Sequence, residues 1–249
     1  MSDGYVRTTT EGGIATVTFH HPKSNSLPAA ILGEMAKQIS TAGADKTVRA
    51  IILRSDGEKA FCAGASFDEL VAIETEAQGL TFFNGFANVI NAIRTVPCFV
   101  LGRVQNKAVG GGVGLAAAVD VCYAHASASV KLSELAIGIG PFVVGPAVER
   151  KTGTNAFGFM TSTPATWRSA DWALRNGLVR GSFRGAASLG DRDPKTRYGI
   201  SWLQSGSHGG IEARDVERHG GLGQTASRTR GDQRPACAFG FYPECDRGV

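Results

Sequence analysis

Two glycine-bearing loops and one carboxylate carry the chemistry this sequence offers. Phe61-Cys62-Ala63-Gly64-Ala65 and Val109-Gly110-Gly111-Gly112-Val113 each follow a strand-like apolar run, and Glu134 lies downstream of the second. Glycine and alanine leave backbone N–H groups uncovered, so two such turns brought side by side can grip one developing oxyanion. A carboxylate beside them supplies a base for an adjacent C–H, which outlines a thioester enolate site. Taken singly, each loop also reads as a tight turn, and Glu134 as a solvated residue capping the next turn. Their order and spacing together favour the functional reading.

The elements that must position these groups follow a strand-then-helix rhythm. Residues 5–10 and 14–20 are β-branched or aromatic with Glu11-Gly12-Gly13 between them, the pattern of a hairpin. Pro28 opens a helix with Ile31, Leu32, Met35 and Ile39 on one face, and Ser26 is a candidate cap before it. A strand at 50–53, a short helix at 69–76 and a helix over 82–93 ended by Pro97 come next. A strand at 98–104, a buried helix of small residues at 113–119 and short strands at 121–124 and 128–132 complete the pattern. Such alternation predicts an α/β architecture, in which ligands sit outside the carboxyl ends of strands. Both glycine loops occupy that position.

Composition narrows the function classes. The 249 residues carry 26 basic and 22 acidic side chains, a formal charge of +4 spread along the chain rather than drawn into a stripe, so no nucleic-acid footprint is expected. Five cysteines form no CxxC pair and leave an odd thiol, which fits a reducing, cytoplasmic compartment. Met1-Ser2-Asp3-Gly4 shows no basic or apolar leader pattern and no run is long enough to span a bilayer, so no membrane role is expected. His20, His21 and His125 lack metal-ligand spacing, and His208 and His219 lie in an anomalous tail; no metal is expected. Over residues 181–249 there are thirteen glycines and nine arginines but seven residues among Leu, Ile, Val and Met, and one lysine, Lys195. That content approaches the disordered regime. The chain therefore divides into a patterned core at 1–178 and a tail at 179–249 that reads as a reading-frame artefact, with a disordered tail as the alternative.

Three spaced segments, Lys59-Ala60-Phe61-Cys62-Ala63-Gly64-Ala65-Ser66-Phe67, Ala108-Val109-Gly110-Gly111-Gly112-Val113-Gly114-Leu115 and Ser133-Glu134-Leu135-Ala136-Ile137-Gly138, resemble the crotonase family, the enoyl-CoA hydratases and isomerases. The resemblance runs over about residues 5–178. It implies an α/β fold of the ClpP/crotonase type, a core of repeated ββα units whose helical C-terminal region is aberrant or missing here, and assembly as a homotrimer or hexamer. It implies that the amides of Ala65 and Gly111 form the oxyanion hole, that Glu134 exchanges a proton with carbon 2 of the acyl chain, and that coenzyme A enters as part of the substrate with no separate cofactor. Lys23 and Ser24, in Pro22-Lys23-Ser24-Asn25-Ser26-Leu27, and Ala63 and Gly64 match the segments that hold CoA, the Ala63 carbonyl matching the acceptor of the adenine amino group.

The sequence departs from the family at several points. Gly114 stands where the family's other catalytic glutamate belongs, which weakens a hydratase assignment without excluding it: family members with only the later glutamate are often isomerases, but hydratases of the family vary at this position and another polar group can hold the water. Phe142 and Val143 alter a glycine-rich turn and either narrow the acyl pocket or belong to the core. Asn106 replaces a glycine in a loop that would hold it left-handed under modest strain, and Ser66 replaces a frequent aspartate.

Two other readings compete. Gly112-Val113-Gly114-Leu115-Ala116-Ala117 fits G-x-G-x-x-A with Glu134 about twenty residues on, a formal dinucleotide site of an NAD-dependent dehydrogenase. That reading leaves Phe61-Cys62-Ala63-Gly64-Ala65 without a role. A noncatalytic or damaged acyl-CoA binder is the other alternative, and no G-x-S-x-G elbow supports a serine hydrolase. Nucleotide sequencing across the codons for residues 175–185 is expected to find a one-base change whose reversal restores a Leu- and Lys-rich helical pattern; an unbroken frame would assign the tail to the protein.

Overall fold

The computed structural model describes residues 4–183; the reading of the tail beyond them lies outside the described residues. The chain opens with the hairpin β1 (Tyr5–Glu11) and β2 (Ile14–His20), then β3 (Ser26–Leu27) and α1 (Ala29–Ala44). β4 (Ala50–Ser55), β5 (Ala60–Cys62) and β6 (Gly64–Ala65) precede α2 (Phe67–Val71) and α3 (Glu76–Thr95). β7 (Phe99–Val104) and β8 (Lys107–Val109) precede α4 (Gly111–Ala118). β9 (Val121–His125) and β10 (Ser129–Lys131) lead through a 3-10 turn (Glu134–Ile137) to α5 (Gly145–Ser162), and β11 (Arg168–Ser169), α6 (Ala170–Arg175) and β12 (Gly181–Phe183) close the described chain. Repeated ββα units are thus visible in the element order, and β12 continues the sheet beyond residue 178.

The larger sheet runs β1-β2-β4-β7-β9-β12, antiparallel at its first pair and parallel thereafter. Successive residues of β4 serve opposite faces: Ile51 and Leu53 join the main core, whereas Ala50 and Ile52 join Ile14 and Leu101 on the other side. α1 covers the main core with Ile31, Leu32, Met35 and Ile39, and α3 does so with Phe86, Val89, Ile90 and Ile93, as their helical spacing predicts. The smaller sheet, β11-β10-β8-β5, sets the geometry of the site. Its strands β5, β8 and β10 are parallel, and each hands the chain to one of the three segments singled out above.

Helix boundaries differ from expectation where capping decides them. The single helix expected at 69–76 is instead the end of α2 and the start of α3. Ser66 caps α2, its Oγ accepting from the Glu69 amide at 3.3 Å. Thr75 and Gln78 form a capping box on α3, with the Thr75 amide donating to Gln78 Oε1 at 3.0 Å and the Gln78 amide to Thr75 Oγ1 at 3.3 Å. Ser26 caps nothing: Pro28 is the N-cap of α1, Ser26 donates to the Ala65 carbonyl, and Glu69 accepts from the first helical amide, Ala29, at 2.9 Å. Nor is Asn106 left-handed. Among the described residues the non-glycine positions with positive φ are Ser24 and Asn25, both at 56°. Asn106 serves its turn through its side chain, accepting from the Lys107 amide and donating to the Glu58 carbonyl.

α4 is buried from Gly112 to Ala118, a position that only small residues permit at such close quarters. Its far end is held by Lys151, whose Nζ donates to the Val119 and Asp120 carbonyls at 2.6 and 2.7 Å. A cation there complements the helix dipole, even though burial pulls the lysine pKa below its ordinary value. An ideal Cβ on Gly112 would lie 2.5 Å from the Cys62 carbonyl oxygen, whereas one on Gly33, on the exposed face of α1, would meet nothing within 4 Å. Gly112→Ala is therefore expected to lose about 1–3 kcal/mol in denaturant titration. Gly33→Ala should gain about 0.5–1 kcal/mol by the same measurement.

Candidate active site

The first loop leaves β5 at Cys62 and turns at Gly64, whose φ of +96° is one that side-chain-bearing residues rarely adopt. Neighbouring chain fixes it on several sides. The Ala63 amide donates to the Asn25 carbonyl at 3.1 Å and the Ser66 amide to the Leu27 carbonyl at 2.9 Å. Ser26 Oγ donates to the Ala65 carbonyl at 3.0 Å. Asn25 organises the adjoining segment: its buried side chain accepts from the His21 amide and donates to the Asp56 and Ala60 carbonyls. Sequence reasoning passed over Asn25, although asparagine's tolerance of positive φ was the available signal. Cys62 is a packing residue; burial pushes its thiol up to about 12.

The second loop turns at Gly110 (φ 51°, ψ −115°), whose amide donates to the Lys131 carbonyl at 2.9 Å. The Gly110 carbonyl accepts from the Val113 and Gly114 amides at 2.8 and 3.2 Å, which starts α4. Gly111 is then the first helical residue, and its amide belongs to the set that no carbonyl within the helix can reach. The two loops touch. An ideal Cβ on Gly64 would stand 4.0 Å from the Gly111 nitrogen, and one on Gly111 would lie 2.4 Å from the Phe86 ring. Gly111 is needed because the Phe86 ring already occupies the place of a side chain, whereas Gly64 is needed for its positive φ. Gly112 in particular faces the Cys62 carbonyl, so the G-x-G segment is spent on contact between loops rather than opened to a pyrophosphate.

Glu134 begins the 3-10 turn two residues after Leu132, just beyond β10. Its Oε1 would lie 3.0 Å from a Cβ on Gly110, so the carboxylate rests against the second loop. The Oε2 atom is buried and finds no hydrogen-bond partner among the described residues. Burial pushes the Glu134 pKa above the usual carboxylate range, and the amides of Glu134 and Ser133 offset this only in part. Gly64, Ala65, Gly110, Gly111 and Glu134 therefore form one neighbourhood of amides and a single reluctant carboxylate.

The remaining candidates lie around it. Lys23 is exposed and pairs with Asp68, and Ser24 sits in the left-handed turn before Asn25. Phe142 is 81% exposed with its ring against Gly140, Val143 packs partly on the core, and Val144 is buried. Beneath the Asn25 segment, Asp56 takes the Tyr5 hydroxyl at 2.7 Å and the Arg7 and Arg54 guanidiniums at 2.8 and 2.6 Å. Burial alone would raise its pKa, but these partners outweigh it and hold it below the ordinary value. Among the described residues no group of three or more His, Cys, Asp and Glu gathers to hold a metal ion. Among them, too, no helix is long and apolar enough to cross a membrane.

Comparison with known proteins places this geometry in a family context. The family model described as Enoyl-CoA hydratase/isomerase matches residues 9–186. The short-chain-enoyl-CoA hydratase of Clostridium acetobutylicum is 33% identical over 171 residues, covering 68% of this chain and 65% of that protein. The mitochondrial methylglutaconyl-CoA hydratase of Mus musculus is 34% identical over 117 residues, 47% of this chain and 37% of that protein. The chain thus matches less than two thirds of the length of either relative. Among solved structures, an enoyl-CoA hydratase of Mycobacterium smegmatis superposes with a TM-score of 0.68 at 30% identity, over 72% of this chain and 70% of its own. Pseudomonas aeruginosa AtuE gives 0.73 at 26% identity, over 80% and 76%.

The raised pKa of Glu134 has a measurable consequence for stability. A folded-state pKa above the unfolded one favours folding fully below the unfolded pKa, and that contribution is lost as pH rises through the folded pKa. Glu134→Gln removes the dependence. Thermal melts should show the variant gaining on the parent as pH rises through and above the ordinary carboxylate range; an unchanged difference across that rise would contradict the burial of an unpaired carboxylate.

Proposed function

Because the chain belongs to the enoyl-CoA hydratase/isomerase family, we propose that it acts on enoyl-CoA thioesters through an enolate intermediate. The thioester oxygen lies between the amides of Ala65 and Gly111. Glu134 moves the proton at carbon 2. The observation that carries this reading is the Glu134 carboxylate, buried against the second loop with Oε2 unpartnered. A base kept from solvent, with one oxygen unpartnered, has a lone pair available and a pKa above the usual carboxylate range, which suits a group that both takes and returns a proton.

The two amides act where charge develops. As the carbon 2 proton leaves, its electron pair forms the carbon 1 to carbon 2 double bond and the thioester oxygen becomes an enolate. Donors fixed by backbone packing need no reorganisation at that moment, and losing one such donor typically costs about 3 kcal/mol. At Gly111 the N-terminal end of α4 adds its dipole in the favourable sense. CoA lies along Lys23 and Ser24, with the Ala63 carbonyl and the Gly64 turn beside it, and the exposed Phe142 ring is available to the acyl group. Cys62, Cys98 and Cys122 are free thiols, consistent with work in a reducing compartment such as the cytoplasm. A homotrimer is the assembly proposed from the family.

The pH profile follows from the same carboxylate. It must be ionised to take the first proton, so kcat/KM should fall on the acid side with a midpoint above the usual carboxylate range. Glu134→Gln should abolish hydration of crotonyl-CoA and isomerisation of 3-enoyl-CoA while leaving acyl-CoA affinity within about threefold, as measured by calorimetry. Retained turnover would sink the assignment. Acyl-CoA binding by the parent protein without either reaction would make it a noncatalytic binder.

A further inference from the structure

An aromatic ring stands against the amide that begins α4. The peptide between Gly110 and Gly111 is tied down at its carbonyl end, where the Gly110 oxygen accepts from the Val113 and Gly114 amides at 2.8 and 3.2 Å. Its amide end meets a side chain instead. An ideal Cβ on Gly111 would lie 2.4, 2.5 and 2.7 Å from Phe86 Cζ, Cε1 and Cε2, so the outer edge of the ring rests against the Gly111 α carbon. Phe86 is 5% exposed. The ring has little room to retreat, because α3 is itself packed tightly on α1: a Cβ on Gly85 would meet Leu32 Cδ1 at 2.8 Å, and both residues are buried. One turn further along α3, Ile90 reaches the same helix at Gly114, its Cδ1 standing 3.6 Å from an ideal Cβ there. Phe86 and Ile90, four residues apart, thus present one face of α3 to the first turn of α4.

We propose that Phe86 is a positioning residue: its ring sets the Gly111 amide against the first loop and so keeps both oxyanion donors aimed at one oxygen. This rests on the enolate reading above. Two donors serve one oxygen only while their separation and direction hold, and an N–H···O bond weakens steeply as its angle bends. The hydrogen bonds to the Gly110 carbonyl restrain one end of the peptide and leave the other to packing. With the ring in place, the Gly111 α carbon cannot drop toward α3. Without it, the peptide tilts into the vacated space and its N–H turns from the oxygen. Phe86 itself takes no part in the chemistry. Its effect passes through Gly111, as a displacement does in a close-packed interior.

The test uses butyryl-CoA labelled with carbon-13 at carbon 1, a saturated thioester whose carbon 2 protons exchange with solvent if an enolate forms. Bound to the parent, its carbonyl stretch should fall in frequency relative to the free thioester, and its carbon 2 protons should exchange in deuterated water. Phe86→Ala should return the band most of the way to the free position. It should also slow exchange at saturation by about 10- to 100-fold, the scale of a misplacement on the order of 1 Å, with the half-saturating concentration within about threefold. Phe86→Leu, which refills part of the space, should fall between, and it decides the matter if Phe86→Ala does not melt cooperatively. Val89→Ala, on the same helix and buried in the same core, should lose stability yet keep both band and rate. An unmoved band and rate in Phe86→Ala, or in Phe86→Leu where that variant decides, would overturn the role of Phe86, as would the same changes in Val89→Ala. A parent lacking the carbonyl shift or the exchange removes the enolate reading itself.

Discussion

The contact between Gly112 and the carbonyl of Cys62 is the constraint on which the site depends. With a Cβ position only 2.5 Å from that oxygen, the second loop can reach the first only as bare backbone. The same closeness brings Gly64 beside the Gly111 nitrogen and leaves Phe86 beneath Gly111. Parallel strands β5, β8 and β10 bring the three segments to one end of a small sheet, and α4, made of small residues, fits behind them. Lys151 fixes the other end of that helix through two carbonyls. Donors positioned in this way are held by packing, and their geometry is paid for when the chain folds rather than when substrate arrives.

Glu134 shows the opposite side of such an arrangement. A buried carboxylate oxygen with no partner among the described residues costs stability, and burial raises its pKa for the same reason. Asp56 offers the contrast: also removed in part from solvent, it collects a tyrosine and two arginines and is held ionised. One carboxylate is a structural anchor under the Asn25 segment. The other keeps one oxygen without a partner among the described residues, and Val144 fills the place that a side chain at Gly114 would take.

Much of this was legible in the residues. The glycine loops, the apolar faces of α1 and α3 and the buried small-residue helix follow from local spacing, and local spacing is what a sequence displays. The breaks at α2 and α3 were also legible: Ser66 and Thr75 each precede Glu or Gln by three residues, a capping signature that helical periodicity alone overlooks. The strands β5 and β8, each three residues long, are too short to show alternation. The small sheet they build was therefore hidden. Val144 was hidden for another reason. Its contact with Gly114 joins residues thirty positions apart, and nothing local to either residue announces it.

The central claim is that two backbone amides from separate loops hold one thioester oxygen within reach of Glu134. A crystal structure with a nonreactive acyl-CoA thioether or dithioester analogue bound tests it most directly when the analogue retains an acceptor in place of that oxygen. The account predicts this acceptor within hydrogen-bonding distance of both the Ala65 and Gly111 nitrogens, with carbon 2 facing the Glu134 carboxylate. An acceptor held by only one amide, or a carbon 2 turned away from Glu134, would contradict it.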